Sequence, residues 1–147
     1  MVIAIIGILS ATGMVVYSGY ISSAKKSTAK SLMAQIALAQ SEEYANSGSY
    51  FKTDFTPNCQ PLNPIDKEEQ LVAIEIALFD GDQTIPRDGN YGYCIAGEDA
   101  NNFVVIASEF SGTDLTGCTF AIGRRGAIEA TDDLSLIHIS EPTRRLV

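Results

Sequence analysis

Residues 1–20 constrain this chain more than any other stretch, because they are mostly apolar and carry no charged side chain. The first charged side chain is that of Lys25. Apolar residues surround the predicted helix on every side, a pattern typical of a helix that is buried or lies in a bilayer. About 20 such residues span the hydrocarbon core of a membrane. We therefore expect residues 1–23 to form a membrane-resident segment. Its expected membrane and assembly positions are Val2, Ile3, Ile5, Ile6, Gly7, Ile8, Leu9, Val15 and Val16.

The same helix is predicted to continue as an amphipathic segment. A cleavable signal peptide is the alternative, but no basic residues precede the apolar stretch and the helical pattern does not stop. Lys25, Lys26 and Lys30 suit the inner-leaflet boundary of a membrane. Residues 46–48 are predicted to end the helix, with Gly48 near C′, the first position after the C-cap. The helix over about 2–46 would be roughly 65 Å long. Its predicted buried stripe is Ala29, Leu32, Met33, Ile36, Ala37 and Gln40, and its opposite face carries Ser31, Gln35 and Glu42.

The rest of the chain is predicted to form a small α+β head on this helix. Turn residues dominate 49–64, and 67–79 fits a short helix through Leu71, Ile74 and Leu78 better than an alternating strand. Short connections favour an antiparallel meander of three or more strands, with one face on the stripe of the long helix. The predicted strands are 90–96, 103–108 and 118–122, with turns centred near Asp99 and Asp114.

Composition argues against several functional classes. The 147 residues suit one domain, and the net charge of −8 argues against a broad nucleic-acid surface. The sequence has one histidine and lacks a phosphate loop, a Cys-x-x-Cys pair and a paired-acid set. We therefore expect no catalytic, cofactor or metal residues, and no enzyme. Arg124 and Arg125 are predicted to form an exposed turn, and a contact with DNA or an acidic surface is the alternative.

Three cysteines beside a membrane-directing segment indicate an oxidising compartment and at least one disulfide. In the predicted meander the middle strand separates Cys94 from Cys118 by about 9.5 Å. A disulfide requires Cα atoms within about 7 Å. Cys59 in the preceding loop can reach Cys94, and Cys118 would then pair with a cysteine outside this sequence. The alternative is that all three are small buried apolar residues.

Residues 134–144 closely resemble the translation of a transposon-type sequencing adapter. We therefore expect the natural sequence to end near Asp133, with 134–147 an artefact to be left out of fold reasoning. His138 lies inside this tail. A genuine C-terminal strand is the alternative.

Residues 2–11, with the sequence Val-Ile-Ala-Ile-Ile-Gly-Ile-Leu-Ser-Ala, resemble the N-terminal helix of type IV pilins and pseudopilins of the N-terminally methylated type. The likeness continues through Tyr17, Tyr20, residues 39–50 and the Cys-x-Phe strand at Cys118. The resemblance implies a shaft helix (1–23 for membrane and assembly) under a globular head (24–133) that includes the amphipathic half. It also implies polymers with apolar half-helices at the fibre centre.

On this resemblance the chain is expected to be a major or minor subunit of a bacterial type IV pilus, serving motility, adhesion or DNA uptake. The alternatives are a pseudopilin of a type II secretion system and, from another class, a membrane-anchored periplasmic enzyme. The implied partners are other pilin subunits, the inner membrane and the assembly machinery. The implied location is the inner membrane, crossed once, and then an extracellular fibre or a periplasmic pseudopilus.

The sequence departs from the family pattern in three places. The family's leader, cleavage site and early acidic residue would all precede Met1. Val15 stands where many relatives have proline, so this chain lacks the residue that would produce the kink that the resemblance implies there. The disulfide that often closes the family's C-terminal region would fall where the adapter-like tail interrupts the chain.

Overall fold

The computed structural model describes residues 2–54, 59–64, 68–87, 90–97, 99–111 and 114–131. The backbones of 2–16, 18, 114, 116–118 and 130–131 belong to helix or strand, but their side chains lie outside the description. The adapter-like tail also lies outside it. The architecture is α+β, as predicted. The elements are α1 (Val2–Ser47), α2 (Glu69–Leu78), β1 (Tyr91–Ala96), β2 (Val104–Ser111), β3 (Asp114–Gly123) and β4 (Ile128–Thr131).

Helix α1 runs unbroken from Val2 to Ser47 and ends where its sequence predicts. Gly48 adopts φ +78° and its N–H donates to the carbonyl of Tyr44 at 2.9 Å. Glycine adopts this left-handed conformation without the strain that a β-carbon adds, so the helix stops here. Most of the predicted stripe is buried. Ala37 is only partly buried, and the others, Ala29, Leu32, Met33, Ile36 and Gln40, are each 4% exposed or less.

The four strands form an antiparallel meander in the order β1-β2-β3-β4. One face of this sheet packs on α1 and α2, so the core lies between the sheet and the two helices. The face carries a mixture of aromatic and β-branched side chains, which suit a half-buried pleated surface. Its members in the core are Tyr91, Tyr93, Ile95, Val105, Ala107, Phe120 and Ile122, packed with Leu71 and Ile74 of α2.

The predicted reversal between β2 and β3 is present, but it ends before Asp114, the predicted centre of the turn. Asp114 lies in β3 and pairs with Ser111, and Leu115 pairs with Phe110. Strand β3 therefore begins four residues before Cys118, the predicted start. Its first half is rich in threonine, aspartate and glycine, which resembles a turn locally. Pairing with β2, across a register shift between Ser108 and Phe110, makes this segment extended.

Strand β4 was not predicted individually. It follows a tight turn in which the Gly126 N–H donates to the carbonyl of Gly123 at 2.9 Å, and Gly126 has φ +75°. Arg124 and Arg125 lie exposed in this turn, as predicted. The turn brings Ile128 opposite Ile122, so a short segment gains a sheet partner.

Helix α2 confirms the helical alternative for 67–79 within its described part. It buries Leu71, Ile74 and Glu75. The helix stops at an Asp-Gly-Asp sequence, residues 80–82, where Asp80 and Gly81 have φ values of 52° and 85°. The Gly81 N–H donates to the carbonyl of Glu75 at 2.9 Å and closes the last turn.

Candidate functional site

The apolar half of α1 is the first candidate site. The predicted assembly positions lie in one helix, but their side chains are outside the described residues. Those positions are Val2, Ile3, Ile5, Ile6, Gly7, Ile8, Leu9, Val15 and Val16. No helix in the described part of the chain combines the length and the hydropathy of a membrane span.

The solvent face of α1 exposes large apolar side chains. Tyr17, Tyr20 and Leu38 are 68%, 71% and 72% exposed. Among the α1 side chains that the structure describes, Ala29 is the first that is fully buried. The helix therefore extends well beyond the part that packs on the sheet.

Charges on α1 divide into a basic lower part and an acidic upper part. Lys25 and Lys26 are half-buried, while Lys30 is exposed. The Lys30 ammonium lies 4.8 Å from the centroid of the Phe120 ring, within cation–π range. Glu42 is exposed near the upper end. The helix thus presents opposite charges at different heights.

A groove of about 300 Å³ runs between α1 and the segment after α2. Hydroxyl and amide side chains form most of its wall, and Leu32 and Pro86 contribute its apolar part. Leu32 itself is almost completely buried. The groove is therefore a shallow surface feature beside the solvent face of α1. Its other lining residues are Ser27, Thr28, Ser31, Gln35 and Thr84.

A disulfide joins Cys59 to Cys94 with a Cα–Cα distance of 6.2 Å. This is the pair favoured by the predicted strand order. Cys94 pairs with Ile106 of β2, and Ile106 pairs with Ala121 of β3. The middle strand therefore separates the backbones of Cys94 and Cys118, as predicted. Cys118 lies in β3, and its side chain is outside the described residues.

Two glutamine side chains attach the long loop to the helices. Gln40 of α1 pairs with the backbone of Phe51, and Gln70 of α2 accepts from the Leu62 N–H at 2.8 Å. Gln70 also donates to the carbonyl of Gln60 at 3.1 Å. These hydrogen bonds pair backbone N–H and C=O groups of the loop that no described strand pairs. The loop that carries Cys59 is therefore held on both sides of the disulfide.

A buried ion pair holds the segment after α2. The Arg87 guanidinium contacts Glu75 through Nη2–Oε2 at 2.5 Å and Glu68 through Nε–Oε2 at 2.9 Å. The Glu75 side chain is only 3% exposed and also accepts the Ile85 N–H at 2.8 Å. The hydrogen bond that Arg87 donates to Glu75 raises the pKa of Arg87 against the opposing effect of burial. Sequence analysis missed this pair, although Glu75 follows Leu71 by one turn on the buried face of α2.

Within the described residues, no group of three or more His, Cys, Asp or Glu side chains could hold a metal ion. Comparison of the chain with protein-family models, curated proteins and solved structures finds no match. The features that remain as a candidate site are therefore the extended helix α1 and its exposed face.

Proposed function

We propose that this chain is a structural subunit, major or minor, of a bacterial type IV pilus that polymerises through its apolar N-terminal helix. One observation carries the proposal. Helix α1 has 46 residues, yet its buried stripe begins only at Ala29 among the described side chains. The preceding segment is apolar and continuous with the helix of the head, so it requires another apolar environment. Neighbouring helices or a bilayer supply one.

The head fits the same role. A long helix packed on a four-stranded antiparallel meander agrees with the pilin fold that the sequence resemblance implies. The fold stays compatible with a pseudopilin of a type II secretion system, which is the second candidate. Both would be inserted once in the inner membrane and would bind copies of themselves and an assembly machinery. The pilus then serves motility, adhesion or DNA uptake.

A pair of charges placed in the apolar segment tests this proposal. Replacing Ile6 and Leu9 by lysine costs about 2–3 kcal/mol per residue at the centre of a bilayer. The double variant should therefore leave the membrane fraction and form no filaments under electron microscopy. Gln60→Lys with Gln83→Lys adds the same charge at exposed positions of the head and should change neither result. An unsubstituted chain that stays monomeric without detergent would contradict the proposal.

Co-expression with pilus assembly proteins or with type II secretion proteins distinguishes a pilus subunit from a pseudopilin. The chain should enter filaments when it is co-expressed with pilus assembly proteins, and electron microscopy would record them. Incorporation only with type II secretion proteins would favour the pseudopilin. The membrane-fraction result is common to both candidates, so it does not distinguish them.

A further inference from the structure

Two exposed side chains of α1 define a line along its solvent face. Tyr20 and Leu38 are 71% and 72% exposed. They are separated by about five helical turns, so they point in the same direction. That direction is opposite the side buried by Ala29 and Ile36. The line continues beside the head, above the predicted membrane segment. No other part of the described chain covers these two side chains there. Single exposed apolar side chains are normal on protein surfaces, so the charges beside this line carry the inference.

Opposite charges flank this line. At about 100° per residue, Lys30 lies about 80° to one side of the line and Glu42 about 40° to the other. Both are exposed, and neither forms an ion pair within the described residues, although the Lys30 ammonium also lies over the Phe120 ring of its own chain. When two parallel helices face each other, the left flank of one meets the right flank of the other. A cation on one flank and an anion on the other are then complementary between two copies.

We propose that this line docks a second copy of this chain, parallel to the first and displaced along the axis by about 12 residues, or roughly 18 Å. At this displacement Lys30 of the upper copy lies level with Glu42 of the lower copy. The inference rests on the proposed polymerisation, which supplies the parallel arrangement.

The shapes of the two surfaces favour the same displacement. Tyr20 of the upper copy lies level with residues 31–32 of the lower copy, beside the groove between α1 and Pro86. Leu38 of the lower copy lies level with residues 26–27 of the upper copy, where the small Ser27 side chain allows close approach. The groove and the small Ser27 side chain are therefore compatible with the stagger that the charges indicate.

A charge exchange tests the contact in the full-length chain. Self-association would be measured by sedimentation in detergent micelles at low salt. Lys30→Glu and Glu42→Lys should each weaken it by about fivefold, because each turns an attraction at the rim into a repulsion. The double variant K30E/E42K should restore it, since the pair reforms with its signs exchanged. Glu43→Lys makes the same charge change off the line and should leave it unaltered.

Cysteine cross-linking tests the stagger. Chains carrying Tyr20→Cys and chains carrying Ser31→Cys, both in a Cys118→Ser background, should form a mixed disulfide when combined. Tyr20→Cys alone should not cross-link to itself. Efficient Tyr20→Cys self-cross-linking, or a charge exchange that does not restore association, would overturn the inference. If the chain associates and none of these substitutions alters its association, the inference is wrong but the proposed function stands. A chain that does not associate at all overturns both.

Discussion

The side-chain amide of Gln40 pairs with the backbone of Phe51 in both directions. Its Nε2 donates to the carbonyl oxygen of Phe51 at 2.7 Å, and its Oε1 accepts the Phe51 N–H at 2.9 Å. Gln40 is completely buried, on the same stripe of α1 as Ile36. The Gln40 amide thus makes the two backbone hydrogen bonds that a neighbouring strand would otherwise make at the beginning of the loop. It turns the chain back onto the helix just after Gly48 ends it.

Gln40→Glu should destabilise the head by about 2–4 kcal/mol. The substitution keeps the size of the side chain, but it replaces the donor to Phe51 by a buried carboxylate. Urea unfolding of the full-length chain in mild detergent would measure the loss. Gln35→Glu is the matched control on the exposed face of α1 and should change the free energy of unfolding by less than about 0.5 kcal/mol. Equal effects of the two substitutions would contradict the role of Gln40.

Removal of the disulfide should lower the free energy of unfolding by about 3–4 kcal/mol, on the chain-entropy model for a loop of this length. Cys59 and Cys94 are separated by 35 residues in sequence. A reductant should therefore lower the melting temperature of the native chain but not that of the Cys59→Ala, Cys94→Ala variant. Peptide mapping should find the 59–94 bridge. A bridge between Cys94 and Cys118 would rule out this pairing.

Glu75→Gln should cost about 2–4 kcal/mol, because it removes the charge that faces Arg87 in a buried site. Glu68→Gln changes the exposed partner of the same guanidinium and should cost less than about 1 kcal/mol. Urea unfolding distinguishes the two. Glu75 raises the pKa of Arg87, so this contribution is present through neutral pH and is lost only as pH rises through the raised pKa. A larger effect at Glu68 would show that the buried contact is not the important one.

Gly92→Ala should destabilise β1 by about 3 kcal/mol. A β-carbon at Gly92 would meet the carbonyl oxygen of Leu62 and lie 2.9 Å from the Phe110 ring. The backbone of Leu62 is itself held by Gln70, so it cannot easily move. Gly123→Ala is the control within the same sheet, since its nearest neighbour is the Phe103 carbonyl at 3.7 Å. Thermal unfolding should show a loss at Gly92 and almost none at Gly123.

Local patterns in the sequence were sufficient for α1, α2, β1 and most of β2. Gly48 marks the end of α1, and the spacing from Ala29 to Gln40 identifies its buried side. These features depend on neighbours within a few residues. The beginning of β3 and the whole of β4 depend instead on pairing, as Asp114 with Ser111 shows. A turn-like composition therefore gave the wrong prediction there.

The sequence by itself determined that an apolar segment continues into an amphipathic helix and a small α+β head, because helical periodicity and turn residues act locally. Only the tertiary structure decided which distant groups meet. Phe51 reaches Gln40, Arg87 reaches Glu75, and the backbone of Leu62 closes over Gly92. Each contact joins groups that are distant in sequence, and they meet because the helices and loops pack on both faces of the sheet. Spacing along the chain carries no information on that geometry.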